Sequence, residues 1–203
     1  MARARTDIAI AVLAKAPVAG FAKTRLIPAL GAEGAAALQA RLIKRALETA
    51  RAVGKVTLWA APDERHPAFQ NLPPDVSVKR QPGGDLGARM LAAAQDAGGP
   101  VLIVGTDCPA LTPDHLHKAA HVLNSGADVV AFPAEDGGYV LIGMNMPQPA
   151  LFADMTWSAP KVMEETRRRL RTAYLGWREP VQLWDVDEPA DLERLRKEFP
   201  DLL

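Results

Sequence analysis

The chain alternates between short apolar runs and longer segments in which apolar residues recur at helical spacing. Short runs that are rich in β-branched residues and bounded by Gly, Pro or charged residues are typical of buried strands. The predicted strands are residues 8–14, 55–61, 76–80, 101–104, about 127–133, 139–144 and a last strand that ends near Trp184. Because strands alternate with helices, the pattern predicts one doubly wound, mainly parallel sheet with helices on both faces.

Helical periodicity fills most of the segments between these strands. The predicted helices are residues 32–53, a helix that carries Leu86 to Ala97, residues 113–124, about 160–174, and a last helix that opens with Pro189. The first one presents apolar residues such as Ala35, Leu38 and Leu42 to the sheet and is expected to take no part in chemistry. Thr112 and Ser158 are the predicted N-caps of the third and fourth helices.

The most informative stretch is VLIVGTDCPALT, residues 101–112, in which a buried strand is followed by a single carboxylate, Asp107. In open α/β sheets, ligands bind beyond the carboxyl ends of the strands. Asp107 lies too far ahead of the next helix to be its cap, and Thr112 suits that role better. We therefore predict a functional role for Asp107.

Composition limits the function classes. The chain has 203 residues, of which 48% are hydrophobic, and this predicts a single domain spanning 1–203. With 24 basic and 24 acidic residues it has no net charge, which argues against nucleic acid or a membrane surface as partner. The only cysteine is Cys108, so an internal disulfide and a Cys-cluster metal site are excluded.

The basic N-terminus resembles a signal peptide, but its apolar run has only the length of a strand, and no run has transmembrane length. A cytoplasmic location is expected.

Two loops carry groups that suit phosphate or nucleotide. The loop after the first strand contains the cations Lys15, Lys23 and Arg25 beside Gly20, and such cations can clamp a di- or triphosphate. Its spacing fits neither the dinucleotide glycine fingerprint nor the Walker pattern, and a solvated basic loop is the alternative. The second loop contains three glycines ahead of a helix that carries Arg89; it is either an anion seat or a tight turn. These glycines are Gly83, Gly84 and Gly87.

Acidic residues occur at two further points. Asp136, followed by Gly137 and Gly138, joins two predicted strands, where it forms either a plain hairpin turn or a loop that presents Asp136 to a substrate. Asp185 and Asp187 lie two residues apart on a predicted extended segment, so they point the same way unless one of them caps the last helix.

Two histidines, His117 and His121, have the spacing of a helical metal pair. They lie off the apolar stripe of their helix, and no third ligand completes a zinc motif. We expect this pair to be solvated.

Several of these motifs together resemble a family of small bacterial nucleotide-diphospho-sugar transferases of the GT-A type, some of them tied to arsenosugar biosynthesis. The shared motifs are AKAPVAGFAKTRL, QPGGDLGARM, GTDCPALT, EDGGYVLIG, the Trp157-Ser158 pair and DVDEPADL, in the same order over residues 8–195. The 2-phospholactate and molybdenum cofactor guanylyltransferases are related to this family. The resemblance implies a Rossmann-like three-layer α/β/α sandwich whose mainly parallel sheet has one antiparallel strand.

The resemblance also implies a role for each motif. Phosphates would be held by Lys15, Gly20, Lys23 and Arg25, and the base and ribose by Gly83, Gly84 and Arg89. Asp136, Gly137, Gly138 and Trp157 would line the acceptor or sugar side. If the reaction is an inverting glycosyl transfer, Asp136 is the best candidate for the acceptor-activating base, with Glu135 and Asp154 as alternatives. Asp107 looks like the remaining acid of an Asp-X-Asp metal element, with Asp185 or Asp187 as the second ligand for Mg2+ or Mn2+. The departures are Gly105 in place of the first acid and Ala159 where a hydroxyl residue is expected.

Two functions remain open at this point. The first is metal-dependent transfer of a sugar from a nucleotide-diphospho-sugar to a small acceptor. The second is nucleotidyl transfer, in which a nucleoside triphosphate is joined to a phosphorylated small molecule and pyrophosphate is released. A nucleotide-binding protein without catalysis is a third possibility, because the Asp-X-Asp element is incomplete.

Overall fold

The computed structural model describes residues 8–157 and 159–203, and its strands form one sheet in the order β3-β2-β1-β4-β6-β5-β7. The strands are β1 Ala9–Lys15, β2 Lys55–Ala61, β3 Val76–Arg80, β4 Val101–Val104, β5 Val129–Pro133, β6 Tyr139–Met144 and β7 Trp177–Arg178. Strand β6 is antiparallel to both of its neighbours, and the remaining pairs are parallel. The mainly parallel sheet with one antiparallel strand is therefore confirmed.

Helices connect the strands. They are α1 Ile27–Arg51, α2 Leu86–Ala97, α3 Pro113–Asn124, α4 Pro149–Phe152, α5 Val162–Thr172 and α6 Asp191–Glu198, with 3-10 turns at Thr24–Leu26, Pro67–Phe69 and Pro200–Leu202. Helix α1 is interrupted at Gly31, whose φ of 71° is one that glycine adopts readily. No helix within the described ranges is both long and apolar enough to cross a lipid bilayer.

The two faces of the sheet bury separate apolar clusters. On β1, Ile10 and Val12 pack in the cluster that includes residues of α1 and α3, whereas Ala11 packs with α2 on the opposite face. Side chains alternate in the same way on β4, because successive residues of a strand point to opposite faces. The molecule is thus the three-layer α/β/α sandwich expected from the sequence.

The boundaries of β2, β3, β4, β6 and α3 match the prediction, and Thr112 caps α3 by accepting a hydrogen bond from the backbone N–H of His115. His117 and His121 are exposed on α3, as expected. Helix α5 begins at Val162 rather than near Pro160, and the predicted cap Ser158 lies outside the described residues.

The last predicted strand is wrong. The two-residue strand β7 lies earlier in the chain, and the segment that ends at Trp184 makes only one isolated parallel bridge, between Leu183 and Ala134. Leu183 exchanges backbone hydrogen bonds with Pro133, the last residue of β5, and with Glu135, which lies beyond it. Because β5 does not extend further alongside it, the segment continues without regular secondary structure. The last helix also begins later than predicted, at Asp191 rather than Pro189.

Candidate functional site

A cleft of about 490 Å³ opens at the carboxyl ends of β1 and β4. This volume lies within the range that binds small substrates and cofactors. Its polar and charged lining residues are Lys15, Lys23, Thr24, Arg25, Gln39, Gln81, Arg89, Thr106, Asp107, Asp136, Asp185 and Asp187. The cleft therefore brings together the cationic loop after β1 and the acidic residues that follow β4, β5 and the irregular segment that ends at Trp184.

An ion pair between Lys23 and Asp107 occupies the floor of the cleft. Lys23 Nζ lies 2.8 Å from Asp107 Oδ1, and the Lys23 side chain is only 5% exposed. The same Nζ donates to the carbonyl oxygen of Val186. Lys23 adopts a left-handed backbone conformation with φ 46°, which costs a residue with a Cβ roughly 1 kcal/mol. In this conformation the loop brings the Lys23 ammonium group to the Asp107 carboxylate.

Asp107 is positioned by residues that the sequence reasoning missed. Thr106 donates its hydroxyl to Asp107 Oδ1 at 3.2 Å, and Gln39 Nε2 of α1 donates both to Thr106 Oγ1 and to the carbonyl oxygen of Lys15, each at 3.2 Å. Gln39 is buried and follows Ala35 by one helical turn, so it is a polar residue on the apolar face of α1. That signal was available in the sequence. It places one residue of α1 at the cleft, while the expectation that α1 takes no part in chemistry stays a prediction.

Asp185 and Asp187 both line the cleft, since the backbone between them is fixed to the end of β4. The N–H of Val186 donates to the carbonyl oxygen of Asp107 at 2.8 Å. Asp187 pairs with Arg25. Neither acid caps α6; instead the Asp191 carboxylate accepts the N–H groups of Asp187 and Glu188.

Burial and crowding by other acids change the protonation of Asp185. Burial, followed by repulsion from Asp136 and Asp107, raises the pKa of Asp185 to about 6, and Lys23 opposes this shift. Asp185 is therefore protonated more readily than an exposed aspartate. By contrast, burial raises the pKa of the Cys108 thiol to about 12, so this thiol stays protonated and is not a nucleophile at neutral pH.

The acidic loop between β5 and β6 is both a hairpin turn and a wall of the cleft. The two strands pair antiparallel, and Asp136 Oδ1 accepts the N–H of Gly138 at 2.8 Å while the residue lines the cleft. Glu135 points elsewhere and pairs with Arg194, with a distance of 3.1 Å between their charged atoms. Asp154 is exposed and lies outside the cleft lining. Of the three acids considered as the base, the geometry favours Asp136.

Two aromatic side chains form part of the cleft wall. Trp157 and Tyr139 meet edge to face with ring centroids 6.5 Å apart, and both line the cleft. Trp157 lies directly on Gly87, where a Cβ would come within 2.7 Å of the indole ring and 2.8 Å of the Phe152 carbonyl oxygen. Gly87, predicted with Gly83 and Gly84 to form either an anion seat or a tight turn, lies inside the first turn of α2, where close packing requires glycine.

We expect Gly87→Ala to displace Trp157. Alanine favours a helix over glycine by about 1 kcal/mol, but its methyl group would collide with a ring and with backbone, so a net loss of stability of about 1–2 kcal/mol is expected. Thermal unfolding and tryptophan fluorescence measure the effect. Gly83→Ala is the control, because a Cβ at Gly83 meets nothing within 4 Å. An unchanged melting temperature and emission spectrum for Gly87→Ala would contradict this packing.

The glycine-rich loop before α2 does not form an open anion-binding site. Asp85 caps α2 by accepting the N–H of Ala88 at 2.8 Å, so a carboxylate already occupies the helix N-terminus. Arg89 nevertheless lines the cleft, where its guanidinium donates to Gln81 Oε1 at 3.4 Å and to the Gly84 carbonyl oxygen at 3.1 Å. Of the residues predicted for the site, four glycines lie outside the cleft lining: Gly20, Gly83, Gly84 and Gly137.

The carboxylates do not form a complete metal cage. Within residues 8–157 and 159–203, no group of three or more His, Cys, Asp or Glu side chains is arranged to hold a metal ion. Mg2+ commonly takes only one or two carboxylates and completes its shell with substrate phosphate oxygens. Asp107 and Asp185 both line the cleft, and their carboxylate oxygens are ligands that fit a metal of that kind.

Comparison with known proteins agrees with this architecture. The model of the DUF2064 family, described as "Uncharacterized protein conserved in bacteria", matches residues 42–159, which is more than half of the chain. The chain belongs to the DUF2064 family. No curated protein shows significant sequence similarity to it.

Solved structures share the fold over nearly the whole chain. A candidate nucleotide-diphospho-sugar transferase from Desulfovibrio desulfuricans G20 superposes with a TM-score of 0.84 at 29% identity, covering 94% of this chain and 88% of that one. The CMP:2-keto-3-deoxy-manno-octonic acid synthetase in complex with CTP has a TM-score of 0.61 at 13% identity, over 98% and 100% of the chains. The 4-diphosphocytidyl-2C-methyl-D-erythritol synthase of Anaerococcus prevotii has a TM-score of 0.59 at 7% identity, over 96% and 99%. The protein therefore has a Rossmann-like nucleotide-diphospho-sugar transferase fold.

Proposed function

We propose that this protein is a metal-dependent glycosyltransferase that moves a sugar from a nucleotide-diphospho-sugar donor to a small acceptor. The observation that carries the proposal is the meeting of Lys23 and Arg25 with Asp107, Asp185 and Asp187 in one cleft. Cations beside carboxylates at the carboxyl ends of the strands suit a diphosphate together with its metal ion. The similarity to the Desulfovibrio protein supports the same class of donor.

The described side chains suggest a division of labour in the cleft. Lys15, Lys23 and Arg25 bind the diphosphate, and Arg89, held by Gln81 and Gly84, binds the base or ribose. Gly138 and Trp157, which also line the cleft, contact the sugar or the acceptor. Gly20, Gly83 and Gly137 shape the loops that carry these groups.

In the proposed reaction, the oxygen of an acceptor hydroxyl bonds to the anomeric carbon of the donor. The bond from that carbon to the diphosphate oxygen breaks, and its electron pair leaves with the diphosphate. Asp136 accepts the hydroxyl proton, as a general base does in an inverting displacement. Lys23 and Arg25 stabilise the negative charge that develops on the diphosphate. Mg2+ or Mn2+, held by Asp107 with Asp185 or Asp187, would supply further neutralisation of that charge.

One observation favours nucleotidyl transfer as a second candidate. Lys15 at the end of β1 lines the cleft together with Lys23 and Arg25 of the following loop, and three cations suit the larger charge of a nucleoside triphosphate. In that reaction an oxygen of a phosphorylated acceptor attacks the α-phosphorus, and pyrophosphate leaves.

A ligand panel and product analysis test the two candidates together. The purified protein with Mg2+ or Mn2+ is melted in the presence of single nucleoside triphosphates, nucleoside diphosphates and nucleotide-diphospho-sugars. A ligand at about a hundred times its Kd adds about 2.7 kcal/mol of stability, which is roughly 5–10 °C in Tm for a chain of this size. We expect the largest metal-dependent shift with one diphospho-sugar, and nucleoside diphosphate as product when acceptors are added. A shift confined to a triphosphate, with pyrophosphate release, would replace the first candidate by the second. No shift with any nucleotide would refute both.

A further inference from the structure

Two carboxylates that we assign to metal binding are already paired with cations of the phosphate loop. Asp107 is paired with Lys23, and Asp187 is paired with Arg25. Both cations come from the segment that follows β1, the same segment to which we assign the diphosphate. Phosphate oxygens and these carboxylates are therefore alternative partners for the same two side chains.

Lys23 is held at the acid more firmly than a surface lysine would be. Its side chain is 5% exposed, its Nζ contacts Asp107 Oδ1 at 2.8 Å, and it donates in addition to the Val186 carbonyl oxygen. Its backbone lies in the left-handed region, with φ 46°, which residues with a Cβ adopt rarely. An ammonium group has three N–H donors, and these two contacts leave one for a ligand in the cleft.

A cation in this position opposes the binding of a second one. The Lys23 ammonium group occupies Oδ1 of the Asp107 carboxylate, which the metal would use as a ligand. A metal ion bound to the same carboxylate would also lie close enough to the ammonium group for the two positive charges to repel. When an anionic phosphate approaches Lys23, it offers the ammonium group a second anionic partner and weakens the attraction between Lys23 and Asp107.

We propose that Lys23 acts as a resident counter-ion that keeps divalent metal off Asp107 until a nucleotide phosphate engages the lysine. This inference rests on the proposed function, because it takes the ligand to be a nucleotide phosphate and the metal to bind the acids of the cleft. The nucleotide must then bind before, or together with, the metal. By linkage, nucleotide and metal raise each other's affinity by the same factor.

The test measures Mn2+ affinity of the nucleotide-free protein by electron paramagnetic resonance or calorimetry. We expect Lys23→Gln to bind Mn2+ at least tenfold more tightly than the wild type does. Lys15→Gln is the matched control: it removes the same charge from the same cleft, but Lys15 Nζ donates to the Phe21 carbonyl oxygen and not to an acid. Its Mn2+ affinity is expected to change less than threefold.

A second variant keeps the test decisive if Lys23→Gln does not fold, which circular dichroism and thermal melting would reveal. Lys23→Met keeps the aliphatic part of this buried side chain and removes its charge from Asp107. We expect it to raise Mn2+ affinity about as much as Lys23→Gln does. Equal Mn2+ affinities of the wild type and of every folded variant among these two would overturn the inference.

A nucleotide arm separates this inference from the proposed function. Mn2+ titrations are repeated with UDP, CTP and GTP, and the wild type is expected to gain more Mn2+ affinity from the nucleotide than Lys23→Gln does. Equal gains in both proteins would overturn the counter-ion role and leave the proposed function standing. If no nucleotide promotes Mn2+ binding to the wild type and none binds, the proposed function fails as well.

Discussion

Asp107→Asn is expected to lower kcat/KM of the transfer reaction about 10³-fold, the scale of losing a charged group that acts on the leaving phosphate. The substitution preserves the shape of the side chain and its contact with Thr106 but removes the negative charge. The measurement is steady-state release of the nucleotide product at saturating Mg2+ or Mn2+. Retention of full activity would show that the Asp107 carboxylate takes no part in the transfer reaction.

A loss of stability must be separated from this loss of activity. Asn at 107 leaves the Lys23 ammonium without its acid, although Asp107 itself is 47% exposed and water reaches it. The double variant Lys23→Gln/Asp107→Asn removes both charges, so it should melt at a temperature closer to that of the wild type than Asp107→Asn does. Glu135→Gln is the control for charge, because Glu135 pairs with Arg194 away from the cleft. Its kcat/KM is expected to stay within threefold of the wild-type value.

Gly137→Ala is expected to destabilise the protein by about 3 kcal/mol, through overpacking and backbone strain. A Cβ at this position would lie 2.0 Å from the Pro160 carbonyl oxygen and 2.6 Å from its carbon atom, and the φ of 94° disfavours any residue other than glycine. These are backbone atoms, so no rotation of a side chain relieves the collision. The N–H of Met163 also donates to the Gly137 carbonyl oxygen at 2.8 Å, which ties the loop to α5.

For a chain of this length, 3 kcal/mol corresponds to a fall in Tm of roughly 6–12 °C, measured by calorimetry. Gly99→Ala is the matched control, since a Cβ at Gly99 meets nothing within 4 Å and its backbone is not left-handed. The Tm of Gly137→Ala is expected to lie below that of Gly99→Ala by nearly the whole of this fall, roughly 6–12 °C. Equal melting temperatures would show that Pro160 moves aside at little cost, and then Asp136 would not be fixed by this contact.

Local sequence patterns were enough to predict most of the strands and helices. The runs at β2, β3 and β4 are apolar, β-branched and sharply bounded, so their limits could be read from the sequence, and Thr112 fits its capping role without tertiary help. The last predicted strand failed because strand formation needs a neighbour, and β5 ends before the segment around Leu183 can pair at length. Composition and periodicity carry no information about where a partner strand stops.

The sequence by itself also identified the chemically capable residues, since Asp107, Asp136, Asp185, Lys23 and Arg25 all line one cleft. It did so because strand ends and glycine-rich loops mark the ligand-binding edge of such a sheet. Their roles in a reaction stay predictions.

Only the tertiary structure decided which of these residues touch. The Lys23–Asp107 pair, the approach of Trp157 to Gly87, and the support of Thr106 by Gln39 each join residues far apart in the chain. Such contacts depend on the packing of α1 and α2 against opposite faces of the sheet and on distances of a few ångströms. The spacing of residues in a sequence sets which face a side chain occupies, whereas the folded sheet sets what lies opposite it.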